Sequence, residues 1–254
     1  MIGSAPERAT MLHEPPMWRG DNMNYNWQAG LIFLLTVVVL SKLGYWLAFR
    51  SAALRDMRAT NREEDAKKLT QEKYPPVVAA NNRIGLWTNL AFFFAIAPFL
   101  VTLEARPIWL VLLETVAILM VYDFFYYLTH RFVFHGQGYF RQVHALHHQA
   151  RKPTHIDGFY VHPLETFIGI ALFMGTAVLM GLVLGTFQVA TMILAYLAFI
   201  QVNTINHTYV NLPNFPFKTL SWVTAKHAVH HENMHKGNYA TITLLYDRLF
   251  GTLN

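Results

Sequence analysis

Thirteen histidines and no cysteine define the chemistry available to this chain. Nine of the histidines fall into four groups. His130 and His135 form an H-x4-H in HRFVFH; His144, His147 and His148 form an H-x2-H-H in HALHH. His207 stands in NHTYVN, and His227, His230 and His231 form a second H-x2-H-H in HAVHH. With no thiolate available, any metal must be held by nitrogen and oxygen donors. Helical positions i, i+3 and i+4 lie on one face, so each H-x2-H-H is expected to aim three imidazoles at one point. Together with His130, His135 and His207 they make nine imidazoles. One ion takes about four to six ligands, so nine suit two ions with positions left open. Neutral imidazole suits iron or zinc. A thiolate-free site with vacant positions suits iron that activates dioxygen, and so the oxidation of an unactivated C–H bond.

Two other chemistries compete. His231, Glu232 and His235 spell H-E-x-x-H, which on a helix binds zinc with the glutamate as general base, as in a membrane metalloprotease. That reading leaves the upstream histidines unexplained. A metal store or transporter would place its ligands at mid-bilayer between spans, whereas here they follow the span ends.

The elements that position these residues are apolar. Hydrophobic residues make up 54% and charged residues 14%, against about 25% charged in a soluble domain. This deficit points to lipid. The net charge of +5 does not imply nucleic acid, because the basic residues concentrate beside the apolar runs, as on a cytoplasmic surface facing anionic lipid. Five runs approach the roughly 20 residues that cross a bilayer: 30–49, 86–103, 108–128, 167–184 and 187–205. The last two, divided by Gly185 and Thr186, are expected to form a helical hairpin of antiparallel neighbours. Residues 1–29 read as an N-terminal tail without the apolar core of a signal peptide, and 30–254 as one all-α domain, a polytopic transmembrane bundle with a histidine-rich cap.

Arg50, Arg55, Arg58, Arg62, Lys67, Lys68, Lys73 and Arg83 separate the first two runs. The positive-inside rule then puts the N-terminus outside and the C-terminus in the cytoplasm after five crossings. That topology brings 129–163 and 206–254, with every histidine except His13, to one membrane face. Residues 51–73 suit a solvated or interfacial helix stopped by Pro75-Pro76. Asp123, two helical turns before His130, could hydrogen-bond a ligating imidazole, while His162 and Glu165 could cap or brace the site. The aromatic run Phe124, Phe125, Tyr126, Tyr127 either lines an apolar approach or faces lipid. His155 and His235 read as surface or supporting residues, and Lys42, inside the first run, as interior or snorkelling.

The ordered set from Asp123 to Leu253 resembles the fatty acid hydroxylase / sterol desaturase superfamily. It comprises His130-Arg131, HALHH, HPLE at His162–Glu165, NHTYVNLP from Asn206, HAVHH, and the closing GNYATITLLYDRLFGT. The resemblance implies an all-helical membrane protein with a cytosolic helical cap. It implies a centre of two iron ions, which zinc can replace in purified protein, with dioxygen as co-substrate. The implied substrate is a membrane lipid or sterol, hydroxylated or desaturated; aldehyde-forming variants share the frame. By motif position it makes His130, His135, His144, His147, His148, His207, His227, His230 and His231 the ligands. Asn211 stands where some members carry a further histidine, Tyr246-Asp247 replaces Trp-Asp, and Tyr239-Ala240 replaces Tyr-Gly. With no haem domain fused in 254 residues, electrons are expected from a separate ferredoxin or cytochrome b5-type protein with its reductase. A bacterial cytoplasmic membrane, with the site facing the cytoplasm, fits the compact chain.

Overall fold

The computed structural model describes residues 23–212, 214 and 216–254. Most of the expected tail, with His13, lies outside the described residues. The described chain is all-α. Its helices are α1 (Trp27–Ala48), α2 (Ala52–Leu69), α3 (Tyr74–Leu100), α4 (Ile108–Phe134), α5 (Tyr139–His147), α6 (Pro163–Leu184), α7 (Val189–Asn206), α8 (Lys218–Glu232) and α9 (Leu245–Leu249). The one sheet among the described residues is a parallel bridge of β1 (Val101–Thr102) and β2 (Phe187–Gln188). Five helices, α1, α3, α4, α6 and α7, are long and apolar enough to cross a membrane, and the chain is an integral membrane protein.

These five form a ring in which α1 packs on α7, α7 on α4, α4 on α6, α6 on α3, and α3 back on α1. The expected hairpin is therefore corrected. Gly185, at φ +87°, makes the sharp turn that an L side chain resists. Yet α6 and α7 diverge from it, and α4 wedges between them. They meet through aromatic side chains, with Phe173 stacked on Phe199 at 4.5 Å. Phe33, Phe92, Tyr122 and Tyr196 complete a buried aromatic core. Elsewhere the helices keep Leu, Val and Ile outward, as on Leu35, Val39 and Leu47 of α1. That is the inverse of a soluble bundle and is stable only in hydrocarbon.

Two boundaries depart from expectation. Pro75 and Pro76 open α3 rather than merely stopping the previous helix, because proline at the first helical positions forfeits no hydrogen bond. α3 thus begins twelve residues before the apolar run at 86. Its early polar residue Asn81 is buried, accepting a hydrogen bond from Thr166 of α6. The charged helix α2, expected to be solvated or interfacial, packs one face against the rest of the protein. Buried Asn61 donates to Tyr209 O at 2.8 Å and accepts from His155 N. Asp65 accepts from Thr154 Oγ1 and Ile156 N, and Lys68 pairs with buried Asp157. One face of α2 clamps the turn His155–Gly158 onto the bundle; the other carries the exposed charges.

Candidate metal centre

The histidines gather at one end of the bundle, where α4 and α7 finish, α6 starts, and α5 and α8 lie across. They form two groups: His130, His135, His144, His148 and His230; and His147, His207, His227 and His231. In each, the candidate ligand atoms lie within 4.8 Å of one another. All nine residues singled out by spacing are in one group or the other.

Local backbone explains the H-x4-H. On an α-helix, five residues turn through about 500°, leaving the two rings about 140° apart. Here α4 ends in a π-helical stretch, Thr129–Phe134, closed by His135 N–H donating to His130 O at 3.0 Å. The wider turn of an i→i+5 helix returns position i+5 to the face of position i. His130 and His135 thereby enter the same group.

Each H-x2-H-H, by contrast, does not aim three rings at one point, which corrects the expectation. His144 and His148 join the five-histidine group while His147 joins the other; His227 and His231 join the four-histidine group while His230 crosses over. The reason is angular. Positions i and i+4 differ by about 40° on a helix, but i+3 lies about 100° from i+4, enough to face a neighbouring point. Each motif braces both groups, so neither α5 nor α8 can shift without disturbing both.

The proton inventory decides what the groups can hold. His130 Nδ1 donates to Tyr239 O (2.7 Å), His135 Nδ1 to Met234 O (2.7 Å), His230 Nδ1 to Gly237 O (2.8 Å) and His207 Nδ1 to Asn203 O (2.9 Å). His144 Nδ1 donates to Glu165 Oε1 at 2.8 Å. A carbonyl has no proton to give, so Nδ1 carries the ring proton and Nε2 presents its lone pair. Burial keeps the rings neutral. It lowers His144, His147, His227, His230 and His231 well below the ordinary imidazole range, and takes His135 to about 4 and His148 to about 3. The Nε2 atoms then converge. His144 Nε2 is 3.0 Å from His130 Nε2, 3.0 Å from His148 Nε2 and 3.2 Å from His135 Nε2. In the other group His207 Nε2 is 2.9 Å from His147 Nε2 and 2.9 Å from His227 Nε2. Lone pairs aimed at each other across buried space repel unless a cation lies among them. With metal–nitrogen bonds of about 2.0–2.1 Å, ligands at right angles sit about 3 Å apart, which is the spacing seen. The donor set fits two cations.

Supporting groups are placed less as expected. Asp123 touches no imidazole. It accepts from the N–H groups of Thr241, Ile242 and Thr243 and from Thr243 Oγ1, because the closing segment passes directly over it. The carboxylate that orients a ring is Glu165, a role the HPLE motif hinted at. His162 caps α6, accepting from Leu164 N. The H-E-x-x-H pattern breaks, since α8 ends at Glu232 with Asn233 extended, and Glu232 and His235 point to solvent. Of the aromatic run, Tyr126 lines a cavity, while Tyr127 stacks on Phe250 at 5.3 Å.

Backbone carbonyls were invisible to motif reading, yet Met234, Gly237 and Tyr239 set three rings. Buried Asp247 holds that segment by accepting from Tyr239 N and Ala240 N. A Cβ on Gly237 would fall 1.7 Å from Thr252 O, so glycine is required there. The closing YDRLFGT segment is thus the frame that aims His130 and His230.

Beside the groups lies a cavity of about 170 Å³ between α4, α6 and α7, lined by His147 and His207 and by apolar residues including Phe134, Ile170 and Phe199. Besides its histidines, six polar side chains interrupt its wall: Tyr122, Tyr126, Glu165, Thr166, Asn203 and Thr204. Tyr122 Oη and Glu165 Oε2 are buried without a hydrogen-bonding partner.

An apolar bundle ending in two polyhistidine groups beside an apolar cavity defines a membrane metalloprotein class, and comparison with known proteins makes it specific. The fatty acid hydroxylase family model matches residues 115–252, and the chain belongs to that family. It is 31% identical over 153 residues to methylsterol monooxygenase 1 of Rattus norvegicus, an overlap covering 59% of this chain and 50% of that one. It is 30% identical over 154 residues to the Gallus gallus protein of the same name, covering 59% and 49%. A very-long-chain aldehyde decarbonylase of Oryza sativa subsp. indica is 30% identical over 151 residues, covering 58% and 54%. The chain spans about half the length of the curated relatives it matches. No solved structure matches it.

Proposed function

We propose that this chain is a non-haem oxygenase that holds two iron ions and oxidises a C–H bond of a membrane lipid or sterol, by hydroxylation or desaturation, with dioxygen and electrons from a separate donor. One observation carries the reading: nine neutral imidazoles, five with their Nδ1 proton committed to an acceptor, converge in two groups on Nε2 lone pairs. The relatives support it, since a monooxygenase acting on methylsterols and a decarbonylase acting on long-chain aldehydes both work on lipids.

His130, His135, His144, His148 and His230 would hold one ion, and His147, His207, His227 and His231 the other. Bound iron would supply the one-electron and dioxygen chemistry that no side chain here can perform. The protein's own contribution is placement. Phe134, Ile170 and Phe199 exclude water and fit an alkyl segment against His147 and His207. Tyr122 Oη, on the same wall and buried without a partner, is free to orient a polar group of the substrate. Glu165 keeps the His144 proton on Nδ1, which leaves Nε2 as donor. The basic residues of α2 favour placing this end of the bundle in the cytoplasm, in a bacterial inner membrane or its equivalent. There a ferredoxin or a cytochrome b5-type protein with its reductase would supply electrons. Residues 30–254 act as one domain.

Purified full-length protein should carry about two iron ions per chain by elemental analysis. Lipid extracts of expressing cells should show a species gaining one oxygen or losing two hydrogens, lost in His230→Ala. Protein that retains no transition metal from iron-replete cells, or an unchanged lipid profile with iron-loaded protein, would overturn the proposal.

A further inference from the structure

A second, larger cavity of about 880 Å³ opens between α1, α2 and α7. That volume is within the range of about 300–1,000 Å³ typical of ligand sites. Its wall is largely apolar, with Tyr45, Phe49, Leu54 and Met57 among its residues, but it also carries three cations: Lys42 of α1 and Arg58 and Arg62 of α2. Asp65 is the one acidic residue lining it, and its Oδ1 is already engaged by Thr154 and Ile156. Among the described residues no carboxylate lies within ion-pair distance of any of the three cations. Arg58 is not loose. Its guanidinium sits over the rings of Tyr45 at 4.5 Å and Phe49 at 4.6 Å, a cation–π seat that fixes it at the cavity. Arg62, one turn further along α2, repels it. Like charges held together at an apolar cavity await an anion.

The cavity is also joined to the candidate metal centre. His155 and Thr204 line both it and the 170 Å³ cavity beside His147 and His207. Asn61 and Asp65 anchor the turn that bears His155, so α2 bears both the cationic seat and the hold on the partition.

We propose that this cavity binds the substrate as an anionic amphiphile, its carboxylate or phosphate head on Arg58, Arg62 and Lys42 and its apolar chain running past His155 and Thr204 into the smaller cavity. The proposal rests on the oxygenase reading for what happens at the chain's far end, but the binding itself does not. Guanidinium pairs suit planar or tetrahedral oxyanions through paired N–H donors. A neutral sterol or alkane would leave these charges unmatched.

The test uses full-length protein in phosphatidylcholine nanodiscs, with photoactivatable palmitic acid and its methyl ester as probes and crosslinks mapped by mass spectrometry. The acid should label α1, α2 and the 199–205 stretch of α7, at least fivefold more than the ester. Arg58→Gln/Arg62→Gln should remove that preference while metal content and helicity stay unchanged, since neither residue touches the histidines. Thr204→Trp should keep labelling of α1 and α2 and lose labelling at Phe159, Ile170 and Phe199. Competition by phosphatidylglycerol would identify a lipid phosphate as the natural head, and indifference to it a free carboxylate; each supports the cationic seat. Equal labelling by acid and ester, or labelling unchanged in the double variant, would overturn it. Because no turnover is read, failure here leaves the oxygenase proposal standing, and absence of lipid oxidation leaves this one standing.

Discussion

The two histidine groups offer the same donor atoms but are held differently. In the five-histidine group four rings, His130, His135, His144 and His230, are fixed at Nδ1 by a carbonyl or by Glu165. In the four-histidine group the recorded anchor is His207 on Asn203 O, while the Nδ1 atoms of His147 and His231 are buried without a partner. The first group is pre-aimed by α4, α6 and the closing segment. The second leans on helix α8 and borders the cavity at His147 and His207. A rigid site and an adaptable one, side by side, suit a centre in which one position anchors and the other faces substrate.

Ligand deletion gives the largest expected effect and the sharpest break. His230→Ala leaves four imidazoles in its group, whereas His147→Ala leaves three. Both should lower lipid oxidation by about 100-fold or more, because ligand sets act as a unit. Metal retention should separate them: His147→Ala falls to about one ion per chain, and His230→Ala keeps more than one. Elemental analysis of the two proteins, purified in parallel, decides it. If His230→Ala loses more metal than His147→Ala, the contrast in rigidity is inverted.

A smaller effect isolates the outer anchors. Glu165→Gln keeps shape but weakens the hold on the His144 proton, and such partners affect metal affinity by about 10–100-fold. The loss should be confined to the five-histidine site, so that chelator titration of the variant strips both ions at similar concentrations. In the unmodified protein the four-histidine ion should leave first. Two well-separated stripping steps in Glu165→Gln would mean that the carboxylate does not set the difference between the sites.

What the sequence disclosed follows the physics of each feature. Histidine spacing named all nine clustered rings, because imidazoles are rare enough in apolar chains for their pattern to stand out. It misassigned them between groups, because whether i+3 faces the same point as i+4 depends on how near a second convergence point lies, which is tertiary information. The π-helical end of α4 was equally hidden; nothing in THRFVF distinguishes an i→i+5 turn from an α-helix. Hydropathy found five spans but began α3 at Leu86, since Asn81, Asn82 and Arg83 look solvated until Thr166 is seen against Asn81. The charged face of α2 concealed Asn61, whose burial depends on partners 94 and 148 positions away. Carbonyl acceptors leave no trace in a sequence, although the glycine at 237 marks where the backbone of one must come close to another strand of chain.

Asp123 gives the smallest expected effect and draws the line between holding the frame and holding the rings. It lies fully buried in α4 and ties down Thr241, Ile242 and Thr243, just beyond the Tyr239 carbonyl that orients His130. Asp123→Asn replaces an acceptor of four hydrogen bonds with a group that has one acceptor oxygen and two donors facing donors. Charge-assisted bonds to backbone N–H are worth about 1.5–3 kcal/mol each, and a buried donor left unpaired costs about 1–3 kcal/mol, so a net loss of about 2–4 kcal/mol is expected. It should appear as a lowered melting temperature in detergent. Because no imidazole contacts Asp123, metal stoichiometry below the transition should stay near two. Loss of the five-histidine ion with an unchanged melting temperature would instead make Asp123 a partner of the rings and move the boundary between frame and site about two helical turns deeper into the membrane.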